Sequence, residues 1–201
     1  AIGRCTGGGS DVRDALCEQL LKLYRNEAFI FLTGDLGFQA LEPLQAVMHD
    51  RFINAGIAEQ NMISVAAGLA SQGHGVWAYS IAPFCYARPF EQVRNDICHH
   101  HLPVKLVGNG GGYHYGPMGA SHHAIEDYGV MTSLPHMRAF IPAFAADIAD
   151  MVPLLARGRT PVYLRLGRCE RPKDFLLPPY HPWRLLWPGD GPVVLGIGPL
   201  I

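Results

Sequence analysis

The feature that most constrains this chain is a repeated exchange between short apolar runs and amphipathic segments. Ala28-Phe-Ile-Phe-Leu-Thr33, Gly75 to Ser80, Val104-Lys-Leu-Val107 and Val162-Tyr-Leu-Arg-Leu166 are short and largely apolar. Runs of this kind read as strands covered on both faces, which is the condition of a parallel sheet. Arg51 to Asn54 and Arg138 to Ile141 add two shorter strands. Between them lie helical patterns. Asp11 to Tyr24 puts Leu16, Leu20, Leu23 and Tyr24 on one face, with Ser10 or Asp11 as the cap. Leu41 to His49 is a short helix. Ala58 to Ser71 carries a stripe of Met62, Val65, Ala66 and Leu69 and stops at Gly73. Another helix starts near Pro89 and runs through Phe90, Val93 and Ile97; residues 123–134 and 145–156 supply two more. Strands and helices alternating through short connections predict an α/β fold: a doubly wound, mostly parallel sheet with helices on both faces.

Composition bounds the function. Of 201 residues, 49% are hydrophobic and 16% charged, which is a globular balance and excludes a disordered chain or a coiled coil. No window holds the 18 or so consecutive apolar residues of a membrane-spanning helix. Sixteen basic residues against 17 acidic ones give nucleic acid and anionic membranes no electrostatic hold. The five cysteines are widely spaced with no C-x-x-C, so a reduced, cytoplasmic protein is expected, without a disulfide framework or a cysteine metal site. His99, His100 and His101 close a helix in three different directions, the pattern of a solvated helix end.

Four segments are expected along the chain. Residues 1–10 are a Gly-rich, flexible N-terminal segment without the apolar core of a signal peptide. Residues 11–168 are the α/β domain. Residues 169–191 are a linker crowded with prolines. Residues 192–201 begin a new strand, which needs partners from a further domain.

In an open parallel sheet, ligands gather beyond the carboxyl ends of the strands. Three segments fall there. In Asn54-Ala-Gly-Ile-Ala-Glu-Gln-Asn-Met62, Glu59 lies in the first turn of a helix after a glycine turn. In Tyr79-Ser-Ile-Ala-Pro-Phe84, Phe84 follows a strand. In Tyr115-Gly-Pro-Met-Gly-Ala-Ser-His-His123, a glycine-rich loop carries two histidines. Each also has a purely structural reading. Glu59 suits a helix N-terminus, Phe84 suits a core, and the loop suits a phosphate or simply the surface.

Together these segments resemble one family. Gly56-Ile-Ala-Glu-Gln-Asn-Met62 followed by Ala-Ala-Gly-Leu-Ala70 is similar to the G-I-x-E-x-x-M and G-x-A signature of the pyrimidine-binding domain of transketolase-like enzymes. Phe84 through Phe90-Glu-Gln-Val-Arg94 resembles the F-x-x-x-R-x-[WF]-E-Q-[IV]-R stretch of two-subunit transketolases. Gly119-Ala-Ser-His-His-Ala-Ile-Glu-Asp127 resembles G-A-S-H-Q-A-I-E-D, and Thr160-Pro-Val-Tyr-Leu-Arg-Leu-Gly-Arg168 resembles T-P-V-Y-[IV]-R-L-x-R. The resemblance covers residues 11–168 in order.

The resemblance implies thiamine diphosphate as cofactor, with the aminopyrimidine half bound here. It implies that Glu59 bonds ring nitrogen N1′ and relays a proton, and that Phe84 stacks on the ring. Asp35 and Ile81 fall at cofactor-facing positions, Ile81 where the family has a second flanking aromatic. His122 would face the substrate and exchange a proton with it. Arg13 and Arg168 align with arginines that grip a phosphate tail, which bidentate guanidinium pairing suits. His114 and Met118 would also face substrate. The diphosphate and Mg²⁺ belong to a partner subunit, because the family's G-D-G pattern is met only by Gly189-Asp190-Gly191 in the linker. An α2β2-like assembly acting on small carbonyl substrates is implied.

The sequence departs from sugar transketolases around the substrate. Met118 stands where an Asp reads a hydroxyl, Gly110-Gly-Gly112 where a histidine faces phosphate, and Gln39 where a serine does. Tyr113 and Tyr115 make the pocket less polar. The expectation is a specialised ketol or acyl transfer in a biosynthetic pathway. The alternatives are a β subunit of a 2-oxoacid dehydrogenase decarboxylase, a deoxyxylulose-phosphate synthase-like enzyme, and, in a different class, a non-catalytic scaffold.

Overall fold

The computed structural model describes residues 12–36, 40–167 and 174–200. Ser10, Asp11, Gln39 and Arg168 lie outside the described residues. The strands are β1 (Phe29–Thr33), β2 (Phe52–Asn54), β3 (Gly75–Ile81), β4 (Val104–Asn109), β5 (Arg138–Phe140) and β6 (Val162–Leu166). They form one sheet in the order β2-β1-β3-β4-β6-β5, and every pairing is parallel. The helices are α1 (Val12–Tyr24), α2 (Glu42–Met48), α3 (Glu59–Ser71), α4 (Ala82–Tyr86), α5 (Phe90–Gln92), α6 (Asp127–Thr132) and α7 (Asp147–Arg157). α5 continues directly into a π-helical turn, Val93–Cys98.

Alternate residues of the buried strands feed two separate cores. Trp77 and Tyr79 of β3 and Leu164 of β6 join Leu16 and Leu20 of α1, Leu44 of α2 and Ile148 and Val152 of α7. Val76 and Ala78 of β3 and Tyr163 of β6 join Met62, Ile63 and Ala66 of α3, and Val93 and Ile97. Both faces of the sheet are therefore covered, as a strand of continuous apolar residues requires.

Three expectations need correction. Val65, placed on the buried stripe of α3, is 38% exposed, and the helix instead buries Met62, Ile63, Ala66, Ala67 and Ala70. The alanines give α3 an i, i+3, i+4 face that lies close to the sheet, so a small residue outranks the larger valine. The helix expected over 123–134 is shorter. Ala124 exchanges both backbone hydrogen bonds with Gly112, at 2.6 and 3.0 Å, and helical bonds begin only after it. Finally, residues 192–197 form no strand. Val193, Val194 and Leu195 are exposed, and no strand is paired to them among the described residues. The proline-crowded stretch instead packs on the start of α7, where the Phe175 ring stacks on Phe144 at 6.0 Å. Arg184 Nη2 donates to both carboxylate oxygens of Asp147, at 2.7 and 2.8 Å, while Asp147 accepts from the backbone N–H groups of Ala143 and Phe144.

His99, His100 and His101 are all exposed after the π-helical turn. His101 adopts a positive φ of 53° and its ring stacks on His136 at 4.1 Å.

Lys105 is an unusual member of a strand covered on both faces. It is 3% exposed, and its ammonium donates to the carbonyl oxygens of Pro103 and Gly158 at 2.7 and 3.1 Å. Burial pulls its pKa down to about 8, against the ordinary value near 10.4. The folded chain then binds fewer protons than the unfolded one between those values, so this residue's destabilising effect fades as pH rises through that window. Lys105→Met is expected to be stabilising near pH 7. Its advantage over wild type should shrink by about 1.4 kcal/mol per pH unit from about pH 8 to 10. Urea denaturation of both proteins across that range checks this; a constant difference would contradict it.

Candidate active site

The chain leaves β1 in one direction to build β2, then crosses back to build β3 on the other side of β1. That reversal opens a crevice at the carboxyl ends of β1 and β3, where α/β sheets hold ligands. A shallow cavity of about 290 Å³ lies elsewhere, between the ends of α1 and α7 beside Asn26 and Glu27. These residues precede β1, so it is at the opposite edge.

Local backbone chemistry places Glu59 in the crevice. Asn54 ends β2 and braces the turn. Its side-chain oxygen accepts from the Gly56 N–H at 2.9 Å, and its amide donates to Asp35 Oδ1 at 3.1 Å. Gly56 has φ +72°, which a side chain disfavours. The turn delivers Glu59 as the first residue of α3. A carboxylate serving only the helix dipole would point to solvent, but Glu59 is 4% exposed. Its partner is Arg88, whose Nη1 lies 2.8 Å from Glu59 Oε2. The Arg88 guanidinium also lies over the Phe84 ring, 4.1 Å from its centroid.

Phe84 belongs to neither hydrophobic core. It sits in α4, partly exposed, with its ring edge-on to His122 at 5.1 Å. Ile81 ends β3 directly before that helix and is partly buried. Asp35 is exposed at the end of β1, held by Asn54, beside a shallow cavity of about 240 Å³. His122 Nδ1 is 2.9 Å from Ser121 Oγ, and its ring lies 5.7 Å from Tyr115. Glu59, Arg88, Phe84, His122 and Tyr115 thus form one continuous chain of contacts.

The loop that carries His122 is nailed to the sheet beneath it. Gly110 and Gly111 donate to Leu166 O at 3.0 and 3.2 Å, and Arg165 Nη2 donates to Ala124 O at 3.1 Å. A Cβ on Gly111 would fall 1.6 Å from Arg165 Nε, so only glycine lets the loop lie on that arginine. Arg165 pairs with Asp127, Nε to Oδ2 at 3.2 Å, and Tyr163 donates its hydroxyl to the same oxygen at 2.8 Å. Burial pushes the Asp127 carboxyl above the ordinary range, while Arg165 and Tyr163 pull it the other way. Asn109 donates to the Tyr115 hydroxyl at 3.0 Å, and His123 Nε2 meets Gly116 O at 3.0 Å, strapping the loop to itself. Cys85, buried close by, has its thiol pushed up to about 12 by burial and the charges of Glu59 and Asp127. It is no nucleophile at neutral pH.

The remaining candidates are less central. His114 is partly buried, its ring 5.9 Å from Tyr115. Met118 is 57% exposed in the turn Gly116–Met118, and Tyr113 is 70% exposed. Arg13 lies in the first turn of α1, 3.9 Å from Asp14. The short connection 25–28 turns the chain back, so α1 starts on the side where β1 ends. Among the described residues, no group of three or more His, Cys, Asp or Glu side chains is placed to hold a metal ion.

Residues 7–173 match the family model for the transketolase pyrimidine-binding domain. The chain belongs to that family. It is 35% identical over 162 residues to one subunit of the apulose-4-phosphate transketolase of Phocaeicola vulgatus, covering 80% of this chain and 52% of that protein. It is 34% identical over 167 residues to a putative transketolase C-terminal section of Methanocaldococcus jannaschii, covering 82% of this chain and 53% of that one. A solved structure described as "Split gene transketolase, inactive beta4 tetramer" superposes with a TM-score of 0.73 at 38% identity, covering 86% of this chain and 56% of the other. The chain therefore spans about half the length of these transketolase relatives. No helix among its described residues is long and apolar enough to cross a membrane.

The geometry suits the pyrimidine half of the cofactor that transketolases use. A flat heterocycle with a basic edge nitrogen needs a carboxyl at that edge and an aromatic ring against its face. Glu59 and Phe84 flank one planar group, the Arg88 guanidinium, in that arrangement already. Arg88 and the Asp127–Arg165 pair had no role in the sequence reading. Signals for both were present. Arg88 follows Phe84 by four residues, one helical turn, and Arg165 is a charge inside a strand buried on both faces, which demands a partner.

Proposed function

We propose that this chain is the pyrimidine-binding subunit of a heteromeric, thiamine diphosphate-dependent transketolase-like transferase. It moves a ketol or acyl unit between small carbonyl substrates. The observation that carries this reading is the buried Glu59 carboxyl beside the Phe84 ring and His122 at the sheet's crevice. The names of the relatives, one a C-terminal section and the other a single subunit of a transketolase, support a divided enzyme. In this reading residues 11–168 are the domain, and 192–201 lead into a further one. The partner holds the diphosphate and Mg²⁺, and the active enzyme is α2β2-like and cytoplasmic.

When bound, the cofactor supplies an electron sink that lets a C–C bond beside a carbonyl be cut and remade. This chain's residues do the rest. Glu59 holds and exchanges the proton at N1′. Phe84 orients the ring and keeps water from one face. His122, with Nδ1 engaged by Ser121, has Nε2 left to exchange a proton with a substrate oxygen. Arg13, Arg168 and His114 are proposed to meet an anionic tail. Tyr115 in the contact chain, with Met118 at the loop's turn, favours a less polar substrate than a simple pentose phosphate, in keeping with a specialised biosynthetic reaction.

Isothermal titration of the isolated chain with thiamine diphosphate and Mg²⁺ should show no micromolar binding. Co-expression with a diphosphate-domain subunit should create both binding and transferase turnover. Micromolar binding by the chain alone would overturn the need for a partner. Robust use of xylulose 5-phosphate by the complex would overturn the substrate reading.

A further inference from the structure

The contacts proposed for the pyrimidine ring are both occupied here by one side chain of the protein itself. Arg88 donates from Nη1 to Glu59 Oε2 at 2.8 Å and lays its guanidinium 4.1 Å from the Phe84 centroid. A guanidinium and an aminopyrimidine share the properties that this niche selects: both are flat, both present N–H groups, and both stack on an aromatic face. Two planar groups cannot hold one carboxyl edge and one ring face together.

The partners differ in their freedom to leave. Glu59 is 4% exposed and fixed at the start of α3, whereas the Arg88 side chain is 43% exposed. Arg88 stands in the turn between α4 and α5, its backbone N–H bonded to Pro83 O at 3.2 Å, so its long side chain can swing into water without moving the fold.

We propose that Arg88 is a built-in occupant of the pyrimidine site, which the cofactor must displace, so that this arginine sets the cofactor affinity of the enzyme. The proposal rests on the assignment of Glu59 and Phe84 to the pyrimidine. A site that is open only part of the time weakens apparent affinity by the open fraction. Releasing the site should therefore tighten binding.

The test is titration of thiamine diphosphate, with Mg²⁺ present, into the complex of this chain with its diphosphate-domain partner. Wild type, Arg88→Ala and Arg88→Lys are compared, with melting temperatures taken without and with cofactor. Arg88→Ala should lower the apparent Kd on the order of 10-fold, with Arg88→Lys in between. Its melting temperature should fall only in the cofactor-free state, because the contact exists only there. Unchanged or weaker affinity in Arg88→Ala, or an equal loss of melting temperature in both states, overturns this proposal alone. Absence of binding by every form, wild type included, overturns the pyrimidine assignment as well.

Discussion

Glu59→Gln should lower the turnover of the assembled enzyme by about 10²–10⁴-fold, the range for losing one positioned proton-transfer group. The substitution changes little in volume. It keeps an oxygen that can accept from Arg88 across the present 2.8 Å contact, and it leaves α3 its buried face of Met62, Ile63 and Ala66. What it removes is the carboxyl group that, in the proposed role, exchanges a proton with the ring. Circular dichroism and melting temperature should stay close to wild type while kcat collapses. Cofactor should still bind, because the Phe84 face is untouched and, in the proposed assembly, the diphosphate is held outside this chain. Near-wild-type turnover would refute the role of Glu59. Loss of fold together with activity would mean that the carboxylate is chiefly structural.

The second large effect is expected at the pair beneath the histidine loop. Asp127 is 0% exposed and Arg165 8% exposed, so Asp127→Asn leaves a guanidinium buried without its counter-charge. Removing one member of such a pair costs about 3–5 kcal/mol, mostly the penalty of the stranded partner. The double variant Asp127→Leu/Arg165→Met, apolar and of similar volume, should recover much of that stability. It should not recover activity, because the bond from Arg165 to Ala124 O is lost and the loop bearing His122 loses its floor. Urea unfolding of the chain and turnover of the complex separate the two readouts. A cost below about 1 kcal/mol for Asp127→Asn would show that the pair contributes little.

Much of this architecture was legible in the amino-acid order because parallel strands leave a strong trace. Phe29 to Thr33 and Val162 to Leu166 read as buried runs, and the structure buries every residue of both. Glu59 and Phe84 were legible too, each lying just beyond a strand and within a recognisable motif. Strand order was not legible, since periodicity says nothing about which strands pair. The exposed Val65 was misread because helical spacing fits two neighbouring stripes, and the one that packs, through Met62, Ile63, Ala66, Ala67 and Ala70, is rotated away from Val65. The short α6 was misread because the Gly112–Ala124 bridge joins residues far apart in a loop with no regular pattern. Arg88 lies inside the motif quoted over Phe84–Arg94. Its partner was not legible there, because only the three-dimensional meeting of α3 with the α4–α5 turn brings it to the buried Glu59 carboxylate.

The place of β6 in the sheet bears on how the site comes into being during synthesis. β6 lies between β4 and β5, and β5 pairs only with it among the described strands. β6 is also the last of the described strands to be made, and it carries both Tyr163 and Arg165. A nascent chain that has already produced Glu59, Phe84 and His122 therefore lacks the strand that supports the histidine loop. Non-local parallel pairing of this kind forms late and slowly. Until residue 166 has left the ribosome and slotted into the gap, the loop has nothing to rest on. The candidate site is then completed in one late step rather than accumulated residue by residue, and a truncated product would present Glu59 without the support beneath the His122 loop.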